Sequence, residues 1–375
     1  MKSGELPNLA ISCLERISPS RFVALQGCAL REVWASSDNG RLLPISPRAR
    51  LGTAIHRLLQ DVGGGKITAS PDALQSALDS RISETESSMS QSWIERSLVP
   101  LRKSVPDFEV QRLRALHLAA SIERIGTSIK HKVDFKPRMG CEIWVQSEDG
   151  TVGGFVDAAY EQDGKPVIRD YKTGLILEAN SADDPKPNVE YLIQVKLYAA
   201  LYCETFGEWP SFAELVPLQG EAIRIEVDPE ECMGILQNAK DTLHTVNALV
   251  LRTASRLIES IGALAAPSSG NCRRCLSRPA CRPYYNECVK EDREWPADVW
   301  GVLEFRQLLG NGRSLLRVIE GNQIIVVRQI TTSTERHPAL ESLEPGNKVG
   351  IYNVRFNANH TEATETDMTT IYRLS

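Results

Sequence analysis

The chain lacks an apolar run long enough to cross a membrane: its longest apolar stretch, Val246 to Ala266, is broken by Arg252, Arg256 and Glu259. Met1 to Leu14 offers neither a basic start nor an apolar run after it, so neither a signal peptide nor a membrane span is expected. Surplus positive charge is missing as well. The formal net charge is -5 with 24% charged residues, which excludes a uniformly basic nucleic-acid coat and leaves a polyanion only local patches to meet. The nine cysteines are an odd number, and with no export signal they read as reduced thiols or metal ligands rather than a disulfide framework. The cytoplasm is therefore the expected compartment. A phosphate loop is also absent. Gly63-Gly64-Gly65-Lys66 fails as a Walker A, because Gln60 stands where glycine is needed and Ile67 where serine or threonine is needed. No motor activity is expected, and no internal repeat is found.

What is present suffices for two domains, since 375 residues with 42% hydrophobic side chains can bury a core in each. Ser18-Pro19 is a helix-start signal, and Phe22, Leu25 and Ala29 recur at helical spacing in a helical region running to about Asp61. A mostly helical insert, about 66–138, begins with a Ser-rich, poorly periodic part expected to be mobile. The period then changes. Glu142 to Gln146, Val152 to Tyr160 and Pro166 to Lys172 are β-prone runs separated by Asp149-Gly150 and Asp163-Gly164, which predicts an antiparallel meander. Asn188 can cap a helix to about Phe206, a hairpin is expected over Phe212 to Val227, and a long helix over Pro229 to Leu264. Beyond Pro296 five strands with glycines at their turns (Val299 to Leu309, Ser314 to Ile319, Gln323 to Gln329, Lys348 to Phe356, Thr369 to Leu374) predict a small OB-like barrel. The expected boundaries are 1–290 and 291–375.

Asp157 lies mid-strand, and the next strand ends in Asp170-Tyr171-Lys172-Thr173-Gly174. Residues two apart on a strand share a face, so Asp170 and Lys172 point together and hairpin pairing brings Asp157 alongside. Two carboxylates and a lysine suit a hard divalent cation and phosphoryl transfer. Taken alone, Asp170 and Lys172 read more readily as a solvated ion pair on an ordinary strand. On the following helix Gln194 and Tyr198 are one turn apart.

Gly52-x-x-x-His56, Gly154-x-x-Asp157, Asp170-x-Lys172-Thr173-Gly174 and Gln194-x-x-x-Tyr198, in that order, resemble the RecB-type PD-(D/E)XK nucleases, and the resemblance spans roughly Ser18 to Tyr285. It implies an α/β, restriction-endonuclease-like core in which His56, Asp157, Asp170 and the Tyr171 carbonyl bind Mg²⁺ or Mn²⁺. Lys172 would be the catalytic lysine, with Gln194 and Tyr198 completing the site. Glu142 stands where such proteins often carry a further acid. The implied activity is metal-dependent hydrolysis of DNA, by an exonuclease on single strands or ends in recombination, repair or defence.

Cys272-x2-Cys275-x5-Cys281 needs a fourth ligand for a closed metal site, and Cys288 or Cys28 could supply it. One cysteine far upstream plus three together resembles the iron-sulfur subgroup of these nucleases, which includes the AddB subunit and the CRISPR-associated RecB-like exonucleases. That resemblance implies a 4Fe-4S cluster on Cys28, Cys272, Cys275 and Cys281, although thiolates alone do not exclude zinc. Cys13, Cys141, Cys203, Cys232 and Cys288 then default to structural roles.

Between Arg96 and Arg138 lie Arg102, Lys103, Arg112, Arg114, Arg124, Lys130, Lys132 and Lys136, against fewer acids. Arg273, Arg274, Arg278 and Arg282 surround the cysteines and are the candidate DNA contacts. A helicase or other defence or repair protein is a candidate partner. The rival expectations are a catalytically silent DNA-binding or scaffold subunit, and a zinc-containing nucleic-acid binder.

Overall fold

The computed structural model describes residues 4–37, 41–122, 138–174, 187–254, 261–287 and 297–374. Its first sheet has five strands in the order β1-β2-β3-β4-β5, with β1 Gly140–Gln146, β2 Gly153–Gln162, β3 Lys165–Lys172, β4 Phe212–Pro217 and β5 Ile223–Glu226. β1, β2 and β3 form the expected antiparallel meander, and β3 pairs in parallel with β4. That parallel step needs a crossover. Helix α7 (Val189–Phe206) lies within it, opened by Asn188, whose side chain accepts from the Glu190 amide.

Two cores lie on opposite faces of this sheet. On one, α1 (Pro19–Gly27), α2 (Ala29–Ala35), α7 and the long α8 (Pro229–Ala254) bury Phe22, Leu25, Val156, Ile168, Leu197, Leu201, Leu236 and Leu243. On the other, α3 (Pro47–Gly63), α4 (Pro71–Gln91), α5 (Leu101–Ser104) and α6 (Phe108–Ser121) bury Leu51, Ile55, Leu58, Leu74 and Leu78 with Ala158 and Tyr171. The Ser-rich segment expected to be mobile is α4. Leu74, Leu78, Ile82, Thr85 and Met89 bury one side of it, a stripe masked in the sequence by the serines between them. Residues 255–260 lie outside the described residues. Beyond them come α9 (Ile261–Leu264), α10 (Ser269–Arg273) and α11 (Arg282–Glu287).

The C-terminal sheet contains β6 (Ala297–Leu308), β7 (Arg313–Glu320), β8 (Gln323–Thr331), β9 (Lys348–Phe356), β10 (Glu362–Thr364) and β11 (Thr370–Leu374). All five expected strands are there, and the short β10 is additional. β10 pairs in parallel with β8 and antiparallel with β9, so pairing runs β8-β7-β6-β9-β10 and returns to β8. Val299, Leu303, Leu316, Val318, Ile325, Val349 and Ile351 fill its core. This sheet packs on the rest through Tyr372, whose hydroxyl donates to the Leu42 carbonyl at 2.7 Å, and through the cluster in which Tyr352 and Tyr372 bury Leu42 and Leu43. No described helix is long and apolar enough to cross a membrane.

Candidate active site

Helix α3 crosses the sheet from β3 to β1, and close packing fixes where it passes. A Cβ on Gly52 would stand 2.6 Å from Thr173 Oγ1, and one on Gly63 would stand 2.7 Å from Cys141 Sγ. Between these two contacts His56 reaches the sheet, its Nε2 2.8 Å from Asp157 Oδ2. The Tyr171 amide donates to the same oxygen at 2.8 Å, which ties β2 to the end of β3 beyond their last ladder pair, Ala158 with Arg169. Asp157 is 7% exposed and Asp170 6%, so both carboxylates sit out of bulk water.

Asp170 points to the opposite helix. Gln194 Nε2 on α7 donates to Asp170 Oδ1 at 3.0 Å, while Gln194 Oε1 accepts from Lys172 Nζ at 2.8 Å. Lys172 Nζ is also 2.6 Å from Asp170 Oδ2. Gln194 therefore bridges carboxylate and ammonium, and Tyr198 one turn later is buried beside Gly154. Burial pushes the Asp170 carboxyl up to about 6, with Lys172 opposing and Asp157 adding to the rise. On His56 burial works against charge, but the hydrogen bond to Asp157 and its negative charge prevail and hold the imidazole above its ordinary range.

These groups fit a hard cation. Two buried carboxylates lie near enough for the charge of Asp157 to raise the Asp170 carboxyl, and Asp170 Oδ2, despite its ion pair, has no directed hydrogen-bond donor. As the side chains stand, His56 and Lys172 occupy the carboxylates, and among the described residues no three His, Cys, Asp or Glu side chains are spread as ligands around one point.

Two features escaped the sequence reading. The Tyr191 ring lies 4.3 Å from Lys172 Nζ, a cation-π contact one turn before Gln194 on α7. Glu142 has φ 52, in the left-handed region, and is exposed. Its neighbours Cys141 and Ile143 consequently belong to different cores although they are two apart on one strand, and across from them Ala158 and Val156 divide the same way. The alternation of faces breaks here, just past Asp157, which by alternation with Val156 faces α3. No signal for that conformation exists in the residue type.

The four cysteines come from α1's end and from the α10–α11 segment. Asn271 Nδ2 donates to the Gly27 carbonyl at 2.7 Å, fastening that segment beside Cys28. Cys272, Cys275 and Cys281 are buried and Cys28 half-buried. Burial pushes the Cys281 thiol up to about 12 against a hydrogen bond from the Tyr284 amide, with the neighbouring Cys275, Cys272 and Cys28 adding to the rise. Cys275 is pushed up to about 11 by burial, with Cys28 again contributing. Cys288 lies outside the described residues, as do Arg124, Lys130, Lys132 and Lys136.

Of the four arginines around them, Arg282 and Arg274 are exposed, Arg274 3.9 Å from Glu190, and Arg273 is half-buried. Arg278 is 3% exposed and its guanidinium is spent on Asp298 and Asn353. It does not face solvent, where a phosphate could meet it. In the earlier basic run Arg102 pairs with Glu109 and Arg112 with Asp79, so part of that charge is neutralised locally.

No curated protein matches the chain. A solved structure titled "Crystal structure of SSO0001" aligns with 53% of this chain and 81% of its own length, at 15% identity and a TM-score of 0.28. The sequence profile of the PD-(D/E)XK nuclease superfamily matches residues 16–282, the span that carries the His56, Asp157, Asp170, Lys172 and Gln194 constellation, and the chain belongs to that superfamily.

Proposed function

We propose that this chain is a metal-dependent DNA nuclease that hydrolyses phosphodiester bonds, acting as an exonuclease on single strands or DNA ends. The observation that carries the reading is the Gln194 bridge, which holds Lys172 and Asp170 together beside Asp157. Asp157, Asp170, His56 and the Tyr171 carbonyl would hold Mg²⁺ or Mn²⁺. Such an ion supplies a water of lowered pKa and stabilises charge on the phosphoryl oxygens. Lys172 Nζ, fixed by Gln194 and capped by Tyr191, orients the attacking water and shields the negative charge that grows on phosphorus. Burial of both carboxylates strengthens each of these interactions.

Two further parts belong to this reading. Cys28, Cys272, Cys275 and Cys281 would hold a 4Fe-4S cluster that clips the two ends of the nuclease domain together. Buried thiols close enough to raise one another's pKa are a set that a bound cationic centre would hold as thiolates. Residues 291–375 would form an OB-like barrel, supported by pairing that returns from β10 to β8. Arg273, Arg274 and Arg282 remain the candidate phosphate contacts.

The test is incubation of anaerobically purified protein with end-labelled single- and double-stranded DNA, with and without Mn²⁺. Metal-dependent shortening of labelled strands is expected. DNA binding without cleavage under any metal would instead favour a silent binding subunit.

A further inference from the structure

Phe155 is 54% exposed on the part of β2 that pairs with β1 but lies beyond the last pair with β3. Its direction follows from its neighbours. Gly154 lies against Pro19 and Tyr198, and Val156 belongs to the α1–α7 core, so Phe155 points to the other face, the one on which α3 brings His56 to Asp157. Directly opposite on β1 stands Trp144, with ring centroids 4.8 Å apart and planes at 66°. The Arg16 guanidinium lies 4.9 Å from the Trp144 ring centroid, anchored by its Nε donating to the Gly150 carbonyl at 2.8 Å. Trp144 is itself fixed. Its Nε1 donates to Gln146 Oε1 at 3.0 Å, and a Cβ on Gly153 would stand 3.2 Å from its ring.

The result is a rigid aromatic step, one ring exposed and the other backed by a cation, two strand residues from Asp157. Two residues of strand span about 7 Å, within reach of the base adjoining a phosphate held at the carboxylates. We propose that Phe155, Trp144 and Arg16 form a nucleobase-stacking subsite for a single strand entering the active site. Every base has a π-face, so such a platform takes any sequence, and Arg16 adds a cation that suits the neighbouring phosphate. Bases in an intact duplex are stacked on one another and cannot use it. The inference rests on the nuclease reading and sharpens its substrate to single strands or frayed ends.

Binding of a fluorescent single-stranded oligonucleotide to the full chain in EDTA, where cleavage is blocked, tests it alongside steady-state cleavage with Mn²⁺. Phe155→Ala should weaken single-strand affinity about tenfold and raise KM with kcat little changed, while Phe155→Tyr binds like wild type. An oligonucleotide bearing an abasic site next to the cleaved phosphate should lose the same factor with wild type and nothing more with Phe155→Ala. Unchanged affinity of a Phe155→Ala protein with a wild-type melting curve would overturn the subsite, and with cleavage still dependent on Asp170 would leave the nuclease reading standing and the aromatic step to a protein partner. A wild-type protein that neither binds nor cleaves contradicts the nuclease reading and this inference together.

Discussion

The Arg278 guanidinium forks onto Asp298 inside the protein, Nε to Oδ2 at 2.7 Å and Nη2 to Oδ1 at 3.0 Å, and so joins the cysteine-bearing segment to the first strand of the C-terminal sheet. Tyr284 adds a hydroxyl donor to Asp298 Oδ2 at 2.6 Å, and the Asn353 amide on β9 donates to Oδ1 at 2.9 Å. Arg278 also donates to Asn353 Oδ1 and to the Cys275 carbonyl. Four of the five guanidinium N–H groups and both carboxylate oxygens of this buried pair are thus engaged from the two sides of the junction.

Asp298→Ala should therefore destabilise the whole chain by about 3–5 kcal/mol, because it leaves a buried guanidinium without its counter-charge. Thermal unfolding checks this. Replacing both residues by apolar ones of similar size should cost less than the single change. Deleting the C-terminal sheet would strip the same partner from Arg278, so point variants are the sounder way to test what that sheet binds.

Gly52→Val should push α3 away from Thr173, since its Cβ alone would stand 2.6 Å from Thr173 Oγ1. The shift moves His56 off Asp157. The expected outcome is at least a tenfold loss of metal-dependent cleavage with a stability cost of about 1–3 kcal/mol, measured as kcat and an unfolding midpoint on the same preparation.

Tyr191 acts through Lys172 as a positioning residue. Tyr191→Leu should lower kcat several-fold to about thirtyfold with KM nearly unchanged, the range of a partly desolvated cation-π contact, and Tyr191→Phe should restore it because the ring and not the hydroxyl faces the ammonium. Equal rates in the leucine and phenylalanine variants would remove Tyr191 from the account.

For the cysteines, Cys28→Ser and Cys281→Ser should each bleach the brown colour near 400 nm expected of anaerobic protein and lower its melting temperature, whereas Cys203→Ser and Cys288→Ser should do neither. Iron and zinc analysis of the same samples decides the metal. Stoichiometric zinc in colourless wild-type protein would replace the cluster by a zinc site, and loss of metal in Cys288→Ser alone would place the fourth ligand there.

The parts legible in sequence were those with local physical causes. Asp149-Gly150 and Asp163-Gly164 marked the meander because their turns need left-handed backbone, and Gly150, Asp163 and Gly164 have φ of 70, 54 and 75. Asn188 announced α7 through a cap two residues long. His56, Asp157, Asp170, Lys172 and Gln194, scattered over four elements, were legible only through their motif spacing. What stayed hidden depended on tertiary partners. Arg278 looked like one more basic surface residue, because nothing local reveals that Asp298 waits inside to neutralise it. The Tyr191 ring, the turn of the strand at Glu142 and the exposed Phe155 likewise depend on what packs nearby, and β10 is three residues, too short to show a period.

The most direct measurement is single-turnover cleavage of end-labelled single-stranded DNA with Mn²⁺ by wild type, Asp170→Asn and Lys172→Ala, with DNA binding and melting temperature recorded on each. The account predicts loss of about a thousandfold in rate for both variants, the several kcal/mol that a metal ligand or a charge-stabilising lysine supplies in the transition state, with folding and DNA binding retained. Cleavage at the wild-type rate by either variant would contradict the assignment of this constellation as the active site.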